Sequence, residues 1–448
     1  MATEHRKICI VGMGYVGLTL AAIMSDRGFD VWGIEKNPDI LKMLMQGKPH
    51  FLEKGFEPRI KGSMNAGRLH FLSELSALNN DQQEPLVYII TVGTPLNDEG
   101  CPRMDMIESV AKEITNHMSD DALVILRSTV QLGTTRNIVK KTLEQSGKQF
   151  GLAYCPERTI EGNAMAELAV LPQIIGGLTE VAALQAEAVF RKITPTVIMV
   201  SSLESAEIIK LLDNSYRDLN FAIGNEVALL CEAAGLDSRE IIEAANTGYA
   251  RTQISDPGFV GGPCLYKDPH ILQASLATYG YVPQLIKQGR ALNESLPNYV
   301  CDRLDDTGII PNKGKDTKIS ILGIAFKGRP ETDDTRASSS LDIVACLRQR
   351  YSEAMICGHD FAVAGRAISN LGVTPVDLEQ AFDCASVVIV ANNNKKYEWI
   401  DLDALTMSMA TPAAIYDIWS VLPAYRGLYS EDKLKFMHLG NGSALDPS

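Results

Sequence analysis

The run PGFVGGPCLYKDP, residues 257–269, sets a thiol, an ammonium and a carboxylate close together in Cys264, Lys267 and Asp268. Gly261 and Gly262 let the chain turn tightly ahead of the thiol, and Asp268-Pro269 is a pairing that opens helices in cap and first-turn positions. A thiol just before a helix N-terminus and near a lysine loses its proton more easily than a free cysteine, which makes Cys264 a nucleophile at neutral pH. Lys210 and Asn214 in AEIIKLLDNSYRD stand at i and i+4, on one helix face, where an ammonium beside a carboxamide can hold a developing oxyanion. The same pair is also what a solvated helix face looks like. In YCPERTIEG, Glu157 and Glu161 flank Arg158, either as a charged turn or as part of the same chemistry.

ICIVGMGYVG ends a first apolar run with Gly12, Gly14 and Gly17, and Tyr15 and Val16 lie between them. A tight turn, backbone N–H groups brought close to a pyrophosphate, and close helix packing each require a missing Cβ. The next run ends VWGIE, so Glu35 falls where a carboxylate accepts hydrogen bonds from a ribose diol and repels a 2′-phosphate. The cofactor expected is therefore NAD rather than NADP. Thr94 in LVYIITVGTP and Ser128-Thr129 in ALVILRSTV end two further runs, where open α/β sheets bind ligands; capping of the following helices is the plainer alternative. A dinucleotide fingerprint with an activated thiol points to aldehyde-level oxidation through a thioester. No histidine falls in these motifs to serve as the base of a simple alcohol dehydrogenase.

These residues need a frame. KICIVG, VWGIE, LVYIITVG and ALVILRST alternate with amphipathic stretches such as 15–27 and 104–118, the βαβ rhythm of a parallel sheet, and PQIIGG and TVIMV within 172–200 complete it. From 202 to 234 one helical period runs unbroken, opened by Ser201 or Ser202 and closed by Gly235. The turn-rich DTGIIPNKGKDT (306–317) precedes KISILGIAF, EAMICGHD and ASVVIVAN, where strands and helices alternate again. The fold class expected is α/β, with two Rossmann-like doubly wound parallel-sheet domains, 1–200 and 307–448. A helical region, 201–306, joins them, and an apolar face left over on its long helix suits a homodimer interface.

Composition narrows the function classes. Of 448 residues 46% are hydrophobic, far from a disordered or coiled-coil chain. With 42 Lys+Arg against 55 Asp+Glu the net charge is −13 and no basic block occurs, which weighs against nucleic acid or an anionic membrane as partner. Nine Cys without CxxC pairs argue against a disulfide framework or a metal site and for a reducing cytoplasm. The uncharged runs 8–25 and 269–286 are interrupted by Gly12, Gly14 and Gly17 and by Gly280 and Pro283, so neither reads as a secretory signal or a membrane span.

GxGxxG, PER with a glutamate four residues on, AEIIKLLDNSYRD, GGPCLYKDP and GIAFKGRPETDDTRAS follow in order across residues 7–340, and in this the chain resembles the UDP-glucose/GDP-mannose dehydrogenase family. The resemblance implies four-electron oxidation of a nucleotide sugar's C6 alcohol to the carboxylate, with two NAD per turnover and no release of aldehyde. Cys264 would attack the aldehyde and carry first a thiohemiacetal and then a thioester. Lys210 and Asn214 would stabilise the oxyanion, Asp268 with Thr129 would position water, and Glu157 would assist thioester hydrolysis. Glu161 would contact cofactor together with Tyr15, Val16, Thr94, Ser128 and Thr129. Glu157, Arg158, Lys210, Asn214 and Gly261 would line the sugar. In the second α/β domain Lys327 of AFKG and Arg336 of DDTRAS would meet the nucleotide diphosphate and sugar. Arg251 would reach sugar or phosphate across a dimer, or else be an ordinary surface residue.

Where the family's glucose and mannose branches read PEF-L-x-E-G, Arg158 replaces the aromatic, as in members acting on UDP-N-acetylhexosamines, while Glu161-Gly162 keeps the glucose-branch ending. The substrate expected is a UDP-N-acetylhexosamine (GlcNAc, ManNAc or GalNAc), made into a surface-polysaccharide precursor; UDP-glucose and GDP-mannose are the alternatives. Two other classes compete: a single-step β-hydroxyacid dehydrogenase and a non-catalytic NAD or nucleotide-sugar binder. Neither has need of Cys264.

Overall fold

A computed structural model describes residues 7–78, 87–97, 100–423 and 433–442 of the chain. It divides into two compact units: Met1–Asp213 with His270–Val282, and Asn214–Pro269 with Pro283–Ser448.

The first unit is built on eight strands, β1 (Lys7–Val11), β2 (Asp30–Ile34), β3 (Leu69–Leu72), β4 (Val87–Ile90), β5 (Ala122–Leu126), β6 (Phe150–Tyr154), β7 (Gln173–Gly177) and β8 (Val197–Val200), in the order β3-β2-β1-β4-β5-β6-β7-β8. The central strands β4 and β5 are buried throughout, and β1 from Ile8 onward, because both faces of the sheet are covered. Ile8 and Ile10 pack with Phe29, Val31 and the helix Tyr15–Asp26 on one face. Cys9 and Val11 pack with Ile107, Val110 and Ile114 of the helix Asp105–His117 on the other, the period-two alternation of a strand. The sheet is parallel except at β6·β7, where Ala153 faces Gly177 and Tyr154 faces Gly176 in antiparallel register. PQIIGG therefore enters the sheet reversed, which an antiparallel neighbour can do without a crossover helix; the link between the two strands holds only the short helix Ala164–Glu167.

The second unit holds six parallel strands, β9 (Lys318–Leu322), β10 (Met355–His359), β11 (Thr374–Pro375), β12 (Val387–Val390), β13 (Ala413–Asp417) and β14 (Leu434–His438), ordered β11-β10-β9-β12-β13-β14. Around its sheet pack the helices Gln284–Asp305 and Ser339–Arg350. The turn-rich segment before β9 carries left-handed backbone at Gly308, Lys313, Gly314 and Asp316, as its composition requires.

One helix, Leu203–Ala234, runs the length foreseen. The Ser202 hydroxyl caps it by accepting from the Ser205 N–H at 3.0 Å, and it ends at Gly235 with φ +70. Its buried face mixes apolar residues (Leu203, Ala206, Leu211, Ala222, Ala228) with a polar stripe. Glu207, Lys210, Asn214, Asp218, Asn225 and Glu232 are buried along one stripe, while Leu212, Tyr216, Ile223 and Leu230 are exposed along another. Among the described residues no helix is long and apolar enough to cross a membrane.

Candidate active site

In the first unit the glycine-rich turn is forced by contacts a side chain would violate. Gly12 has φ +99, and its N–H donates to the Ile34 carbonyl at 2.9 Å. A Cβ on Gly17 would lie 1.9 Å from the Gly12 oxygen, so the helix could not start so close to β1. A Cβ on Gly14 would meet nothing within 4 Å, which leaves backbone N–H groups open at the helix start. Glu35 lies half-buried at the end of β2, accepting from the Met13 N–H at 3.2 Å and the Asn37 N–H at 2.8 Å. This is a cradle for a pyrophosphate with a carboxylate at the ribose position, and it fits NAD.

Tyr15 and Val16 are half-buried in the first turn of that helix. The Tyr15 hydroxyl bonds the Glu53 carboxylate, and the Gly162 N–H donates to both, at 2.8 and 3.1 Å. Burial, with the Glu53 carboxylate beside it, keeps the phenol protonated far above its usual range. The clamp ties the glycine-rich turn to the loop bearing half-buried Glu161. Thr94 and Ser128 are buried at strand ends: the Thr94 hydroxyl donates to the carbonyl of half-buried Thr129 at 2.6 Å and the Ser128 hydroxyl to the Ile90 carbonyl at 3.4 Å. The hydrogen bonds thus join strand ends.

Glu157 is buried, and its oxygens accept four hydrogen bonds. Arg127 gives two of them, from Nε at 3.2 Å and Nη2 at 2.5 Å; the Arg158 and Thr159 N–H groups give the others at 2.7 and 2.8 Å. Burial alone would raise its pKa, but the Arg127 guanidinium, those N–H groups and the charge of Lys210 hold it below the usual carboxylate range. Arg127 is itself fully enclosed, also donating to the Cys155 carbonyl at 3.0 Å and to Gln173 at 2.8 Å. The Arg158 side chain turns to Asp213 on the long helix, Nε to Oδ2 2.7 Å.

In the second unit, Asn214 and Asp268 are buried and joined, Nδ2 to Oδ2 at 2.5 Å, while Lys267 Nζ lies 3.0 Å from the other Asp268 oxygen. The helix Asp268–Ala277 begins at Asp268, whose N–H donates to the Cys264 carbonyl at 2.9 Å. Cys264 thus stands exposed one turn ahead of the helix start, and none of the nine cysteines is in a disulfide. Gly262, with φ +93, donates to the Ala337 carbonyl at 2.7 Å, and a Cβ there would sit 2.3 Å from the Phe326 ring. A Cβ on Gly261 would sit 2.5 Å from the Ala337 oxygen. The cysteine loop is therefore pressed against the segments that carry Lys327 and Arg336. Lys327 Nζ lies 5.2 Å over the Phe326 ring, and exposed Arg336 forks onto Asp334, Nη2 to Oδ2 2.5 Å. Arg251 is exposed, its guanidinium 4.7 Å over the Tyr249 ring.

The sequence reading missed the residues that hold this loop. The Asn225 amide brackets Gly258, accepting from its N–H at 2.8 Å and donating to its carbonyl at 3.1 Å. Arg290 donates to Asp218 at 2.7 Å and to the Val260 and Leu265 carbonyls at 3.2 Å each. Arg127 carried a legible signal, a charge ending the apolar run ALVIL, whereas Glu53 and Arg290 sit in ordinary polar contexts and carried none.

Three family models match in sequence: the NAD-binding domain of the UDP-glucose/GDP-mannose dehydrogenase family over residues 6–194, its central domain over 204–295 and its UDP-binding domain over 320–424. The UDP-N-acetyl-D-mannosamine dehydrogenase of Pyrococcus horikoshii is 32% identical over 90% of this chain and 93% of its own, and that of Campylobacter jejuni 32% identical over 89% and 98%. Among solved structures, the UDP-D-ManNAc dehydrogenase from Pyrococcus horikoshii superposes with a TM-score of 0.86 at 30% identity, covering 98% of this chain and 100% of that one. A UDP-glucose dehydrogenase from Pyrobaculum islandicum gives 0.83 at 26%, covering 98% of each. With a glycine-rich strand-helix turn in one unit and a cysteine loop packed against the Phe326 and Ala337 segments in the other, this chain belongs to the UDP-glucose/GDP-mannose dehydrogenase family and is an NAD-dependent nucleotide-sugar dehydrogenase.

Proposed function

We propose that the protein oxidises the C6 hydroxyl of a UDP-N-acetylhexosamine, with UDP-N-acetyl-D-mannosamine first among candidates, to the uronic acid. The observation that carries this reading is Cys264 itself, exposed one turn before a helix whose first residue, Asp268, is buried against Asn214. A single-step dehydrogenase has no use for that thiol. Bound NAD supplies the hydride acceptor the side chains lack, and alcohol to carboxylate consumes two equivalents.

Cys264 Sγ adds to the C6 aldehyde, forming the C–S bond of a thiohemiacetal whose oxyanion is met by Lys210 and Asn214. After the second oxidation water breaks the thioester, releasing the carboxylate and restoring the thiol, with Asp268 and Thr129 placing the water. Glu157 assists as a fixed negative charge. Its four accepted hydrogen bonds fill its lone-pair positions, so for it to take a proton one of those bonds must open. Tyr15, Val16, Glu35, Thr94, Ser128 and Glu161 serve the cofactor, and Arg158, Gly261, Lys327, Arg336 and Arg251 the nucleotide sugar. Residues 201–306 act as connector and dimerisation region, since the exposed stripe Leu212, Tyr216, Ile223 and Leu230 suits a second copy of the same helix in a homodimer. A free catalytic thiol fits a reducing cytoplasm, and we assign the product to a surface-polysaccharide pathway.

The test is a panel of UDP-N-acetylhexosamines, UDP-glucose and GDP-mannose, read as NADH released per product. Two NADH per uronate with a UDP-N-acetylhexosamine is the expected result. Preference for UDP-glucose or GDP-mannose would overturn the sugar assignment, and one NADH with free aldehyde as product would overturn the thioester route.

A further inference from the structure

We propose that Glu207 is a positioning residue, whose carboxylate anchors the segment following Thr129 to the helix that carries Lys210. The inference rests on the catalytic reading of those two residues given above and assigns a role to a third that touches neither ligand. Glu207 lies on the long helix, three residues before Lys210, and is completely buried. It accepts from the Gly133 N–H at 2.5 Å, the Thr135 N–H at 2.8 Å and the Thr135 hydroxyl at 2.6 Å.

Those donors sit where the backbone is irregular. Gly133 has φ +86, and Thr135 opens a π-helical turn, Thr135–Lys140, of the kind that is costly in a regular fold and recurs at functional sites. The same segment is fixed at two other points, the Thr129 carbonyl by the Thr94 hydroxyl at 2.6 Å and the Leu132 N–H by Ser275 at 3.1 Å. Glu207 is the one ionisable side chain among these three anchors. The segment's N–H groups point at it, and only an acceptor with two oxygens can take all three donors. A proton on the carboxyl would set a donor against those donors and break at least one bond.

The anchor costs stability. Burial raises the Glu207 carboxyl to about 7, against the Thr135 and Gly133 hydrogen bonds that favour its charge. The charged groups facing it are Glu204 on its own helix, which raises the value further, and Arg136 on the anchored segment, which is paired with Glu204 at 2.6 Å. Because the folded-state value lies above that of a free glutamate, the stability Glu207 contributes is complete at low pH and is lost as pH rises through about 7. The ordered segment shows the opposite trend, since the ionised form makes the bonds. A group that was merely structural would move stability and turnover together.

Glu207→Gln separates the two. From pH 6 to pH 8 the Tm of wild type relative to Glu207→Gln should fall, while the kcat ratio of wild type to variant should rise to about tenfold with KM for NAD and sugar changed less than twofold. Hydrogen exchange of residues 131–140 should be faster in the variant at pH 8. Thr135→Val, which removes one donor and keeps the fold, should shift the acid limb of kcat to higher pH with Glu207 intact. Parallel kcat profiles for wild type and Glu207→Gln, or exchange in 131–140 unchanged by both variants, would overturn the assignment. If wild type turns over no nucleotide sugar, the functional reading fails on its own; the exchange measurement still decides whether Glu207 holds the segment.

Discussion

At the scale of single residues, the chemistry is carried by groups whose charge state the fold dictates. Cys264→Ser should lower uronate formation roughly 10³-fold or more, and intact-mass analysis should find sugar retained at the first oxidation level; uronate at the wild-type rate would remove the thioester from the mechanism. Arg127→Met leaves the buried Glu157 carboxylate without its main partner and should cost about 3 kcal/mol in denaturant unfolding at pH 7. The sign with pH follows from the lowered Glu157 value: the stability this carboxylate brings is present above the ordinary carboxylate pKa and lost as pH falls through the lower folded-state one. The deficit of Arg127→Met should therefore shrink on acidification. A deficit independent of pH would mean that packing of the guanidinium, and not the pair, is what matters. If the Glu35 carboxylate stands at the ribose as proposed, Glu35→Ala should drop the ratio of kcat/KM for NAD to that for NADP by an order of magnitude or so, roughly 1–2 kcal/mol.

At the scale of elements, the motifs were legible because each is a local rule. GxGxxG between β1 and a helix is a steric statement, and Gly17→Ala, whose Cβ would collide with the Gly12 oxygen, should abolish NAD binding in a fluorescence titration while the second unit stays folded. Strands β1, β2, β4, β5, β7, β8, β9, β10 and β12 announced themselves as short apolar runs at the expected positions, β7 in reversed direction. β3, β6, β11, β13 and β14 did not: β11 spans two residues, and the pattern of β3 and β14 is interrupted by exposed polar positions. The long helix was foreseen in extent but not in orientation, since periodicity locates faces without telling which is buried. Here the polar stripe is inside, because Glu207, Asp218, Asn225 and Glu232 each find donors there.

At the scale of the whole molecule, the long helix leaves an apolar stripe that the described residues do not cover, Tyr216 at 70% exposure being the extreme case. Replacing Tyr216 and Leu230 together by Glu should convert a dimer to a monomer in sedimentation velocity and lower Tm. A monomeric wild type at micromolar concentration would show that the stripe serves another purpose.

The sequence alone determined the local features on which the proposed chemistry rests, the glycine-rich turn, the acidic residue that ends β2, the cysteine ahead of a helix and the lysine and asparagine one turn apart, because each depends on neighbours within a few residues. Tertiary structure decided everything that depends on partners distant in the chain. It reversed β7, enclosed Arg127 with Glu157, drew Glu53 to Tyr15, set Arg290 beneath the cysteine loop and buried Glu207 under Gly133 and Thr135. The physical reason is that a buried charge is tolerated only where the fold supplies its counter-charge or its donors, and no local pattern records where those come from.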